Sequence, residues 1–251
     1  SEYAKSIKVK IKKPKFRYSK AEYFVDKESN SIYKGIGSVK FMNQSCADDL
    51  YNLRDNHYNS FVDLLRDIYE KTSVNSRQLD ILIKLDFFDE FGNAKELLRL
   101  VKMYDMFGTA KTLKKEKLAN SDVVRAIVER HSIGITKAGK ESKSYTQLDN
   151  SAIMNECETL IMSLGIKPMT IKEKAEIQKE YMGYVDIATG KQEDRPKLYI
   201  LDVKTLKSKT TGKTWARQIT AQSIGSGKQS NYTITSKNYH EEFQIGDVIL
   251  C

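Results

Sequence analysis

Gly35, Ile36 and Gly37 are the first residues of the chain whose types and spacing could do chemistry. Two glycines around an apolar residue let neighbouring backbone amides close on an anion, so the stretch could hold a phosphate, but the extended look of the residues before it favours a plain turn. Residues 225–230 (GSGKQS) resemble the tail of a phosphate-binding loop, but Gln222 stands where that loop needs its first glycine, which rejects a nucleotide site. Asp48 with Asp49, and Asp86 with Asp89, are acidic pairs of a kind used in two-metal phosphoryl transfer when carboxylates converge from separate elements. Here they fall at expected helix ends or turns, where surface solvation accounts for them. No G-x-S-x-G signature accompanies the Ser, His and Asp residues, so no catalytic residue is assigned. Cys46, Cys157 and Cys251, like His57, His131 and His240, are widely spaced with no C-x-x-C. This spacing points to a reducing compartment, no disulfide framework and no structural metal.

Charge says more about the partner. Lys and Arg number 42 against 33 Asp and Glu, a net charge of +9, and the isoelectric point is about 9.2. Residues 1–20 hold eight of the cations and one Glu, and further clusters fall at 111–117 and 137–143. A basic excess of this kind favours a polyanion by releasing its counterions, so nucleic acid is the expected partner. With 40% hydrophobic residues, 30% charged and 3 Pro in 251, the chain reads as folded, with room for several modules. No apolar run approaches the roughly 20 residues of a membrane helix, and no apolar core follows the basic N-terminus as in a signal peptide.

The elements that must position these residues change character along the chain. Residues 7–12 alternate apolar and basic, and Phe24–Val25 and Ile32–Tyr33 read as short strands around a turn at 26–31. From Gln44 the spacing is helical. Ala47, Leu50 and Leu53 share one face; Phe61, Leu64, Leu65 and Ile68 share the next. Asn75 precedes a third helix (Leu79, Leu82, Ile83), and Gly92 and Asn93 lead into a fourth (Leu97, Leu98, Val101). Ser121 should cap a helix, a basic loop is expected over 134–145, and a helix follows over 149–164. Thr170 with Glu173 forms a capping box for one more helix, through Tyr181. Residues 198–203, 215–221, 232–236 and 247–250 then read as strands of a small β module with turns at 211–213 and 225–228.

Residues 34–40 (KGIGSVK), followed by 75–93 (NSRQLDILIKLDFFDEFGN), resemble the tandem helix-hairpin-helix region of the alpha subunit of bacterial DNA polymerase III. Upstream, residues 7–25 are similar to that family's extended lead-in; downstream, residues 180–184 (EYMGY) look like the segment before its OB domain. The likeness covers residues 1–108 and about 173–251. Phe41, Met42 and Asn43 stand where the family has Gly-Val-Gly in its first hairpin, and Asp86 replaces the glycine of the second. Phe and Asp lack glycine's freedom at positive φ, whereas Asn43 can adopt a left-handed conformation. The expectation is therefore hairpins kept as fold, with DNA contact shifted to Lys34, Lys40, Arg54 and Arg77.

The resemblance implies more. Met103, Asp105, Met106 and Phe107 look like the family's sliding-clamp peptide, although the same residues could simply end the fourth helix and pack in its core. The β-rich end would be the OB domain, handling single strands through Trp215, Arg217, Tyr232 and Lys237; Trp215 could equally be core. The fold class expected is α+β: a helix-hairpin-helix-like bundle with an extended basic lead-in, then a small OB-like barrel that four strands leave incomplete. The expected division is 1–43 lead-in and first hairpin, 44–108 bundle, 109–183 helical insertion and 184–251 OB-like module. The function implied is a non-catalytic DNA-binding and clamp-binding part of a replicative polymerase in a bacterial or phage cytoplasm, with duplex or single-stranded DNA, the clamp and other replisome subunits as partners. No cofactor is expected in this sequence; Mg²⁺ belongs to the parent polymerase's catalytic residues. A replisome adaptor that tethers a clamp, or an accessory module of a repair protein or nuclease, are the alternatives.

Overall fold

Side-chain caps begin each α-helix among the described residues, which are 9–187, 197–235 and 242–250 of a computed structural model. Asn43 accepts from the Cys46 amide to start α1 (Gln44–Asn52), and Ser60 from Asp63 to start α2 (Phe61–Lys71). Reciprocal capping boxes, Asn75 with Gln78 and Asn93 with Glu96, start α3 (Ser76–Lys84) and α4 (Ala94–Phe107). Ser121 starts α5 (Asp122–Arg130), Asp149 starts α6 (Asn150–Ser163), and Thr170 with Glu173 starts α7 (Ile171–Met182). Each cap satisfies amides that a helix start leaves without a partner, at about 1 kcal/mol per site. The apolar stripes behind them are buried: Leu50, Leu64, Leu65, Leu79, Leu82, Leu97 and Leu100 are all in the core.

The chain divides into two units, Ser1–Met169 and Thr170–Cys251. In the first, β1 (Lys10–Lys12) pairs parallel with β3 (Ser31–Tyr33), and β2 (Phe24–Asp26) pairs antiparallel with β3. The basic alternation of the lead-in thus becomes an edge strand. Downstream, β4 (Thr112–Lys114), β5 (Ile133–Ile135) and β6 (Glu141–Thr146) form a second small sheet, ordered β4-β6-β5. Residues 134–145, expected as a loop, are therefore largely a β-hairpin. The sequence hides it because Tyr145 is its one core residue; the other β5 and β6 residues stay partly or fully exposed, so no apolar alternation marks the strands.

The stretch over 109–169 is built into the first unit. Helix α6 packs against α4 and α2, and its Glu158, 9% exposed, accepts from the Phe61 amide at 2.8 Å and the Val62 amide at 3.3 Å. A carboxylate from 97 residues away thereby covers the positive end of α2. Asn93 Nδ2 donates to the Ile166 carbonyl at 2.9 Å, a second tie of the same kind.

In the second unit β7 (Lys197–Lys207), β8 (Thr214–Ser223), β9 (Gln229–Thr235) and β10 (Val248–Leu250) form one antiparallel sheet, ordered β10-β7-β8-β9. Leu198, Ile200, Ile219, Ala221 and Phe243 make the core on one face. Helix α7 covers the other through Ala175, against Tyr199 and Ile224. Leu201 follows Tyr199 on the α7 side by simple alternation, and the register shift between Ile200 and Asp202 returns Val203 to the opposite face. With β9 and β10 as its edges among the described residues, the sheet is open, consistent with an incomplete OB-like barrel. Residues 225–228 are the β8–β9 turn, with Gly227 at φ 71°.

Candidate nucleic-acid interface

Two turns of the first unit carry the positive-φ backbone that a helix-hairpin-helix needs. Phe41, two residues before the Asn43 cap of α1, has φ 69°, and Asp86, just after α3, has φ 59°. The glycine replacements therefore keep a positive-φ residue at both turns. Asn43, the residue expected to tolerate a left-handed backbone, is instead extended at φ −135° because it caps α1.

Around the first turn the side chains gather. Arg77, in the first turn of α3, places its guanidinium 3.4 Å from the Phe41 ring centroid. The buried Gln78 donates to the Phe41 carbonyl at 3.0 Å, fixing the turn against the start of α3. Lys40 beside it is exposed, and the Phe41 ring is 49% exposed. Ser45 of α1 and Ser73 ahead of α3 touch through their hydroxyls at 2.9 Å, so both helix starts lie at this turn. Lys40 and Arg77, expected among the DNA contacts, are thus brought together. Arg54 is not with them: it lies beyond the far end of α1, about 16 Å along the chain's helical rise, folded over Tyr51 and paired with Asp55 at 2.9 Å. Lys34 follows β3, its amide donating to the Lys12 carbonyl. Sequence reasoning named the cations but not Phe41, which it treated only as a lost glycine.

Gly35 and Gly37 have a different role from a phosphate cradle. The Gly37 amide donates to the Ala21 carbonyl at 2.8 Å. A Cβ on Gly35 would sit 2.2 Å from the same oxygen. These glycines let the turn pack against the lead-in backbone.

The second hairpin is closed by the chain itself. Lys13 lies 2.9 Å from Asp89 and 3.8 Å from Asp86; Lys15 is 3.0 Å from Asp89, and Arg17 is 2.7 Å from Glu90. The amides of Asp86, Phe87, Asp89 and Phe91 donate to protein carbonyls. Three cations expected to meet nucleic acid are thus paired within the protein, and the acidic pair expected to be simply solvated is part of their counterpart. Likewise Asp49 accepts from the Ser73 amide and hydroxyl, each at 2.7 Å. Among the described residues no group of three or more His, Cys, Asp or Glu could hold a metal.

The lead-in, strapped over the second hairpin by Lys13, Lys15 and Arg17, has a pH dependence. Burial raises the Asp89 carboxyl, but hydrogen bonds and charge from Lys13 and Lys15 outweigh it and hold the group below its ordinary value. Burial lowers Lys15, and Asp89 outweighs that, leaving it raised. A depressed carboxyl stabilises the fold above its ordinary pKa and loses that contribution as pH falls through the folded value. A raised lysine contributes below its ordinary pKa and loses it as pH rises through its folded one. The lead-in is expected to hold at neutral pH and loosen below about pH 4. Protection of the Phe16 amide, corrected for intrinsic exchange, should fall between pH 5 and pH 3 relative to amides inside α2; equal changes in both would contradict this.

Burial also pushes the free Cys46 and Cys157 thiols up to about 11, so neither is a reactive nucleophile. Phe107 ends α4 at 0% exposure, with Met103 and Met106 half-buried and Asp105 accepting from the Tyr69 hydroxyl at 2.6 Å.

Residues 8–98 match the helix-hairpin-helix motif family. The matched helix-hairpin-helix segment spans the lead-in sheet, both turns and α1–α3, and ends in the first turn of α4. It makes DNA the partner class that the first unit points to. Among curated proteins no sequence matches the chain.

In the second unit Trp215 is 49% exposed, so it is not core. Arg217, two residues on, lies 3.5 Å from Glu242. Tyr232 pairs in register with Ile219, four residues from Trp215 along β8, a separation of about 13 Å. Lys237 lies outside the described residues. No helix among the described residues is long and apolar enough to cross a membrane.

Proposed function

We propose that the chain is a non-catalytic DNA-binding segment of a replicative polymerase, of the kind found in the C-terminal region of the bacterial DNA polymerase III alpha subunit. The first hairpin carries the reading. It keeps the left-handed turn at Phe41, sets it against two helix starts and gathers Lys40 and Arg77 there, inside a segment that matches the helix-hairpin-helix motif. The second unit's open sheet, with Trp215 half exposed, suits a single-strand platform in the same role. Other replisome subunits are the protein partners this reading calls for. Clamp binding through Met103, Asp105, Met106 and Phe107 would require the last turn of α4 to unwind, since Phe107 is fully buried.

A salt-dependent titration of the whole chain against duplex, single-stranded and primer-template DNA tests the proposal. The affinity should fall with salt on a log–log slope of about −1.8 for the duplex and about −1.4 for the single strand, or steeper, one phosphate for each of the two hairpin cations. Lys40→Ala should make that slope shallower by about 1. A flat response on all three substrates would sink the reading and favour an adaptor that binds proteins alone.

A further inference from the structure

A phenylalanine at φ 69° with half its surface in water is doubly unfavourable. The left-handed backbone strains any residue with a Cβ, and exposure forfeits the benefit of burying the ring. A glycine would remove both costs. Yet the surroundings hold the ring out: Gln78, itself buried, anchors the Phe41 carbonyl at 3.0 Å, and Arg77 lies over the ring at 3.4 Å from its centroid. Lys40 precedes it, exposed.

The chemistry of this group differs from that of a glycine hairpin. A Gly-x-Gly turn lets a duplex phosphate reach backbone amides; a phenyl ring at that position stands in the way. What it offers is a π face with the Arg77 guanidinium against it and the exposed Lys40 next in the chain. That combination matches one unit of a single strand, an unpaired base next to phosphates. In a duplex the base faces are covered by their neighbours in the stack, leaving the ring nothing to lie against. An apolar protein partner could cover the ring, but would leave Lys40 and Arg77 without anionic counterparts. The charge around the ring therefore favours a polyanion.

We infer that the first hairpin holds an unpaired nucleotide of single-stranded nucleic acid, its base against the part of the Phe41 ring that Arg77 leaves open and its phosphates beside Lys40 and Arg77. The inference rests on the DNA-binding reading of the first unit and sharpens it to a substrate class.

Fluorescence anisotropy with three labelled probes tests it on the full chain: an oligo-dT, an oligonucleotide of the same length with an abasic tract, and a duplex. Phe41→Gly is the informative variant, because glycine fits the turn and thermal melting should be unchanged or raised. Its affinity for oligo-dT is expected to drop about tenfold, the scale of one lost base–aromatic stack. Affinity for the abasic probe should stay as in the wild type, that for the duplex should stay or rise because the ring no longer stands over the turn's amides, and Phe41→Tyr should retain the oligo-dT affinity. An equal loss on the dT and abasic probes, or no loss on either, overturns the inference; the second result leaves the ring to a protein partner. Failure of the wild-type chain to bind any probe would instead bring down the DNA-binding reading itself.

Discussion

Phe107→Ala is expected to destabilise the first unit by about 3–5 kcal/mol, the range for truncating a fully buried phenylalanine. The side chain is 0% exposed and closes α4. Its carbonyl accepts from Asn150 Nδ2, which also donates to the Ala110 carbonyl at 3.0 Å, so the end of α4 is held by the start of α6. Gly108 must follow: a Cβ there would lie 2.7 Å from the Tyr104 ring. A cavity at Phe107 therefore opens where α4, α6 and the turn between α4 and β4 meet. Urea unfolding should show a lower midpoint with an unchanged slope. If the midpoint hardly moves while capture by a sliding clamp is lost, the residue is a docking anchor and not a core residue.

The parts of this fold that were legible in the sequence are local ones. Asn75, Asn93 and the pair Thr170 with Glu173 announce helix starts because each cap acts within one turn. The stripes behind them repeat at helical spacing because each helix buries one face. The strands of the second unit were found at their apolar centres, whereas β7 runs on to Lys207 and β9 begins at Gln229 through polar residues that backbone pairing alone holds. What stayed hidden depends on distant partners. Glu158 carries no signal of its own in the sequence; its role appears only when α6 brings it to the α2 amides. Lys13, Lys15 and Arg17 read as a nucleic-acid patch until Asp86, Asp89 and Glu90 fold against them. At the candidate site the cations were visible by type, but the role of Phe41 comes from its φ and from Arg77, 36 residues away in the sequence, neither of which its own neighbourhood reveals.

Phe16→Ala should have an effect of similar size, but a different distribution. The ring is 0% exposed, lying 5.6 Å from Phe88, 6.2 Å from Phe91 and 6.3 Å from Phe87, with its amide bonded to the Phe87 carbonyl at 2.9 Å. The local loss is about 3–5 kcal/mol. Because the lead-in is a strap and not a helix of the bundle, it can detach while α1–α4 stay folded. Once it has detached, further weakening of its contacts costs nothing more, so the loss in global stability is capped at the free energy of docking the strap. Hydrogen exchange reads the difference. Amides of Phe16, Ile36 and Gly37, which bond to Phe87, Lys20 and Ala21, should lose protection together, while those inside α2 and α3 keep most of theirs. Release would also remove Lys13, Lys15 and Arg17 from the second hairpin and withdraw the backbone against which Gly35 and Gly37 pack. Loosening of the first hairpin, and with it weaker binding at Phe41, should therefore accompany a mutation at Phe16. A uniform loss of protection across the unit would mean instead that strap and bundle fold as one.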